Sequence, residues 1–156
     1  MPRSYIVSFE EVACSSPQDL IQIKGAAGKM LQILGINAGM ADTSPPTNQQ
    51  FAIRCRFLPA TVTDGSGGTT PTPRPYDPGD SAASFTALAN NTTKATTNGT
   101  ATILYEDGVN AFQGVAWMFP EPPEIGPSES FVFELLSTPV GTPHLSGGVR
   151  VRELGG

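Results

Sequence analysis

His144 is the one histidine of the chain, set between Pro143 and Leu145, and no nucleophile-elbow sequence occurs to pair with it. A Ser-His-Asp relay therefore has no legible serine. Zinc fares no better. Cys14 and Cys55 lie far apart and lack C-x-x-C spacing, and one histidine with two scattered thiols does not make a tetrahedral site. His144 reads as structural or simply exposed. The run Gly25-Ala26-Ala27-Gly28-Lys29-Met30 superficially resembles a phosphate-binding loop. Its glycine spacing is wrong and no Ser or Thr follows the lysine to hold magnesium. It reads as a turn between strands.

The carboxylates give little more. Asp77-Pro78-Gly79-Asp80, with Asp64 upstream, offers oxygens for calcium, but without the alternating ligands of a calcium loop. Asp before Pro-Gly is an ordinary turn signal. Glu121 and Glu124 have the chemistry of a glycosidase pair, yet both sit in one Pro-rich stretch with no sugar platform in view. The expectation is a protein that is not an enzyme and takes no cofactor or metal.

Charge and composition narrow the partners. The chain has 156 residues, 38% of them hydrophobic and 15% charged, with a net charge of −5. That length suits a single domain, 1–156, with a core of its own. Phosphate binding needs clustered Lys and Arg, and the nine basic residues here are scattered, so nucleic acid is not expected as a partner. Arg54 and Arg56 form the one local concentration, and period-two spacing puts both on one face of a strand. They read as a solvated or partner-binding face. No apolar run is long enough for a membrane span, and no secretion signal is read at Met1-Pro2-Arg3-Ser4. Synthesis in a cytoplasm is expected. The N-x-[ST] triplets at Asn90, Asn91 and Asn98 then read as turns, and Cys55, inside an apolar alternation, as a buried free thiol.

The elements that would position these residues are strands. Tyr5 to Phe9, Leu20 to Ile23, Met30 to Ala38, Phe51 to Phe57, Thr100 to Tyr105, Phe112 to Phe119, Phe131 to Leu136 and Leu145 to Leu154 alternate or carry β-formers, with a fainter pattern through Phe85, Ala87 and Leu88. In the Met30 run, Leu31, Ile33 and Gly35 share one side, and Leu34 and Ile36 the other. Glu106-Asp107-Gly108 reads as a turn. Val115, Trp117 and Phe119 alternate as a core-facing set. About eight strands without helical periodicity point to an antiparallel β-sandwich, jelly-roll-like, with an immunoglobulin-like sandwich as the alternative.

One interruption stands out. From about 60 to 81 the chain has almost no core-forming residues, and structureless stretches beyond about 12–15 residues are uncommon inside compact domains. Gly65 to Gly68 is flexible, whereas Pro71, Pro73, Pro75 and Pro78 stiffen the second half toward an extended path. Arg74 and Tyr76 on that half are residue types favoured at interfaces. The expectation is an arm laid across a neighbouring subunit, dispensable for folding and important for assembly.

The run Asp64-Gly-Ser-Gly-Gly, the Thr-Pro-Thr-Pro-Arg-Pro segment, Asp77-Pro-Gly-Asp and Ala89-Asn90-Asn91-Thr92-Thr93 resemble small β-sandwich virion proteins of tailed phages and prophages. The Trp117 strand, the Pro120-Glu-Pro-Pro stop and the Pro127-Ser-Glu turn fit the same pattern. The resemblance implies a decoration (cement) protein on the capsid surface of a virion, binding the major capsid protein and assembling as a homo-oligomer, commonly a trimer. The alternative is a tail or fibre module that binds host-surface glycan.

Overall fold

The computed structural model describes residues 2–42, 47–59 and 61–155. Met1, Gly156 and Ala60, where the long loop was expected to begin, lie outside the described residues. Among the described residues thirteen strands run in chain order: β1 (Arg3–Ala13), β2 (Gln18–Lys24), β3 (Met30–Met40), β4 (Gln50–Leu58), β5 (Val62–Thr63), β6 (Arg74–Pro75), β7 (Thr86–Asn91), β8 (Thr96–Thr97), β9 (Thr102–Asn110), β10 (Val115–Met118), β11 (Glu124–Ile125), β12 (Ser130–Leu135) and β13 (His144–Leu154). One sheet has the order β10-β3-β13-β1-β6, with β11 also on β3, and the other β7-β2-β12-β4-β9; every pairing is antiparallel. Set aside the short strands and β7, and successive strands swap sheets at every step except β4 to β9. That alternation is the jelly-roll connectivity. The long stretch between β4 and β9 is an insertion into it.

Period-two alternation builds the core. Val7 and Phe9 from β1, Ile53 and Cys55 from β4, Phe131, Phe133 and Leu135 from β12, and Val149 and Val151 from β13 meet between the sheets. Phe133 is the hub, tilted against Phe9 at 6.5 Å between ring centroids and edge-on to Trp117 at 5.9 Å. Such aromatic pairs add to the gain from burying their area. Both cysteines are buried and unbonded, and burial pushes the Cys14 thiol up to about 12 and that of Cys55 higher still.

Three local expectations are corrected. Glu106-Asp107-Gly108 is not a turn: β9 runs through it to Asn110, because Arg54, Ile53 and Ala52 of β4 pair with it in register. Paired backbone outweighs turn propensity here. The next strand is also shorter than expected, since Phe112 lies in the turn that follows β9 and only Val115–Met118 pairs with β3. Gly114 allows that turn at φ +65, with Ala38 O only 2.6 Å from where a Cβ would stand. In β3 a bulge at Leu34, opposite Arg150/Val151, reverses the alternation and sends Ile36 to the core side with Leu31 and Ile33. Phe133→Ala removes the hub ring. It should cost about 3–5 kcal/mol, read from urea unfolding followed by Trp117 fluorescence.

Candidate assembly surface and the charged layer under the insertion

The insertion does not stand away from the sandwich. Its Gly-rich half lies over the outer face of the β2–β12–β4 sheet. Gln22 Nε2 donates to Asp64 Oδ1 at 2.9 Å, Gly65 N donates to Gln22 Oε1 at 3.2 Å, and Lys24 pairs with Asp64. Ser66 bridges Thr93, Thr69 bridges Ala89 at the free side of β7, and β5 pairs with β8. Gly68 is required because a Cβ there would collide with the carbonyl oxygens of Ala89 and Asn90. The glycines thus permit close packing against the 89–97 segment, where the sequence suggested a flexible turn.

The Pro-rich half is also tied to its own domain. Arg74 and Pro75 form β6 on the edge of β1, opposite Ile6 and Tyr5, and Tyr76 N donates to Ser4 O at 3.0 Å. Tyr5 Oη donates to Ser81 O at 3.1 Å, and Asp77 folds the next turn by accepting from Gly79 N. The stretch expected to lie across a neighbouring subunit is fastened along the edge of its own sandwich as a strap. Pro71 and Pro73 are half-buried against it, whereas Arg74, Tyr76 and Pro78 keep exposed side chains. A stiff segment with few donors suits an edge that would otherwise stay open.

Arg54 and Arg56 do share a face, but the face is covered. β12 is buried along its whole length, because β5, β8 and Lys94-Ala95 roof over Ser130, Val132 and Glu134. Arg54 Nε pairs with Glu134 Oε1, Arg56 Nε lies 3.0 Å from the same oxygen, and Lys94 Nζ donates to Glu134 Oε2 at 2.7 Å. The second buried carboxylate, Asp19, accepts from Ala95 N at 2.7 Å and faces Arg56 Nη2 at 3.5 Å, while Arg56 Nη2 also donates to Ala95 O at 2.8 Å. Two buried acids are thus held by three cations, and the same contacts fasten the roof. The sequence hid this because Ser130, Val132 and Glu134 look like the outward side of an ordinary strand.

Elsewhere, His144 is bound locally: its N–H donates to Asp42 Oδ2 at 2.9 Å and its Nδ1 lies 2.8 Å from Asp42 Oδ1, pinning the end of β3 to the start of β13. Among the described residues no three His, Cys, Asp or Glu side chains converge on a point that could hold a metal.

Among the described residues, the sandwich is open along the edge where β9 and β10 lie, each bonded on one side only. Tyr105 packs tilted against Trp117 and Phe119, with ring centroids 5.8 Å and 5.5 Å away. Beside them an open groove of about 390 Å³ is lined by Leu104, Tyr105, Phe119, Pro120, Glu121 and Pro123. Ile103 (54% exposed), Tyr105 (51%), Phe112 (56%) and Met118 (61%) all belong to this edge and its turn. Sequence reading placed Trp117 and Phe119 in the core but did not single out this edge. The signal was there in the apolar residues on both sides of Glu106-Asp107.

Two outcomes follow from the charged layer. Glu134→Gln leaves three cations facing a neutral amide, and should cost about 3–5 kcal/mol in urea unfolding. The second concerns pH. Burial raises the Asp19 carboxyl from 3.8 to about 6, against the smaller opposing pulls of Ala95 N and Arg56. Folded Asp19 thus keeps its proton to about pH 6 while the unfolded chain releases it near 4, so this group makes stability fall as pH rises through that window. Asp42 acts oppositely: the His144 hydrogen bonds hold its carboxyl below the usual range, and its contribution is lost only as pH drops through that lower range. The melting temperature should be higher at pH 5 than at pH 7.5, and Asp19→Asn should flatten that difference. Comparison with known proteins leaves the reading to the chain itself: no family model, no curated protein and no solved structure matches it.

Proposed function

We propose that this protein is a non-enzymatic virion component, a decoration protein that binds and stabilises the major capsid shell of a tailed phage, acting as a homo-oligomer, with a trimer the expected form. The observation that carries an assembly role is one open sandwich edge bordered by exposed large apolar side chains: Tyr105 on its inner side, Ile103 on the outer face of one sheet, Met118 on the outer face of the other, and Phe112 in the turn that joins β9 to β10. Large apolar side chains gathered at one edge mark a surface that another molecule covers, and burying them contributes about 25 cal/mol per Å². Behind the edge, the insertion straps one side of the sandwich and roofs one sheet. Assignment of the partner as capsid follows from the resemblance of the turns and loops to phage virion proteins.

A glycan-binding tail module is the second reading, favoured by the groove beside Tyr105 with Glu121 on its rim, since sugars stack on exposed aromatic rings. Cryo-electron microscopy of the virion separates the two by position. Density on the head supports the first reading; density on the tail, or none, rejects it. In co-sedimentation with capsids, the double variant Ile103→Ser/Met118→Ser should bind at least about tenfold more weakly. Its unfolding free energy should change by no more than about 1 kcal/mol, because both side chains are exposed.

A further inference from the structure

We infer that β9 receives an extended, basic segment of the partner as an added strand, so that the partner continues the β7-β2-β12-β4-β9 sheet. The inference rests on the assembly reading and deepens it. The four lateral strand edges differ sharply. The free side of β7 is bridged by Thr69, with Thr69 N donating to Ala89 O and Ala89 N to Thr69 O, both at 2.8 Å. The free side of β1 is covered by β6, itself two residues long and lacking a donor at Pro75. β10 is four residues long. β9 has nine residues and is paired on one side only. A long edge with unpaired backbone groups is a template for another strand.

Charge says which strand. From 95 to 149 the chain has no Lys or Arg, but carries Glu106, Asp107, Glu121, Glu124, Glu129 and Glu134. Glu134 is neutralised inside the charged layer, and Glu106 lies 3.9 Å from Arg54. Asp107 has no cation partner among the described residues, although it pairs in register with core-facing Ile53 and so points to the side of the sheet that faces β10. An acidic side chain aimed inward from an edge strand blocks unsuitable pairing. A second copy is such a case: antiparallel β9–β9 pairing centred on Glu106 or on Glu106-Asp107 would set carboxylates against each other, which destabilises a ladder. A strand carrying Lys or Arg on the face that meets Asp107, with apolar side chains on its other face, meets no such obstacle.

The test uses the full chain and four nine-residue probes. They are an alternating Lys/Val peptide, its Glu/Val counterpart, and two Lys/Val peptides N-methylated at alternate residues in either register. Trp117, the one tryptophan, reports binding by fluorescence, and hydrogen exchange reports the β9 amides. The Lys/Val peptide should bind saturably and protect β9, the Glu/Val peptide at least tenfold more weakly, and one N-methylated register should lose binding. Asp107→Asn should weaken the Lys/Val peptide about fivefold, the upper range for one exposed ion pair, at an unchanged unfolding midpoint. Equal binding of the two charge types, equal binding of both N-methylated probes, or no saturable binding overturns the inference. Peptide failure with capsid binding intact rejects strand addition alone. Capsid failure with peptide binding intact rejects the decoration reading alone.

Discussion

Two carboxylates that water cannot reach set the terms for the rest of this structure. Glu134 and Asp19 are fully buried on the outer face of a sheet, where an unpaired charge would cost several kcal/mol. Arg54 and Arg56 reach them along β4, but Lys94 and the Ala95 amide come from the segment that crosses above. The roof is therefore needed to complete the charge balance, and the charges hold the roof. Neither forms well without the other. Replacing the pair of acids and their cations by apolar residues of similar volume could leave stability unchanged. What the ionic version adds is a requirement that one particular segment cover one particular strand.

That requirement ties a long insertion onto the jelly roll at both its roof and its strap. Between β4 and β9 the chain leaves the sandwich, roofs the β12 face, follows the edge of β1 as β6, returns as β7 and completes the roof through β8. It closes the lateral edge formed by β1 and β2, and leaves the opposite edge, β9 with β10, open. The asymmetry is physical. An edge that is strapped has its donors and acceptors used internally, whereas β9 keeps one side of its backbone unpaired. On the proposed reading, the partner surface is the face that the insertion does not cover.

The same geometry gives the edge its selectivity. Exposed apolar side chains at Ile103, Tyr105 and Met118 border the edge, and on the proposed reading Asp107, on the same face as Tyr105, supplies the discrimination that area alone lacks. Apolar surface of this kind without a charge would invite the edge to pair with its own copies. Glu106 and Asp107, which look like turn residues, lie within the strand, where the proposed reading makes them guards of its edge.

The sequence by itself determined the fold class, the jelly-roll strand count and most of the core, because a half-buried strand must alternate and this chain does so at Phe51-Ile53-Cys55-Phe57, Phe131-Phe133-Leu135 and Val149-Val151. It also marked the 60–81 stretch as unusual and Arg54 and Arg56 as a pair on one face. Where those residues point was decided by tertiary structure alone. Alternation tells which side chains share a face, but not whether a distant segment covers that face, so the arginines read as surface and proved to lie beneath Lys94-Ala95. Bulges at Leu34 and at Glu10-Glu11 arise from the register of neighbouring strands, which a local pattern does not contain. The long loop was legible as a device but not as a strap, since its partners, Tyr5 and Ile6 on one side and Ala89 and Thr93 on the other, are brought to it only when the sheets have closed.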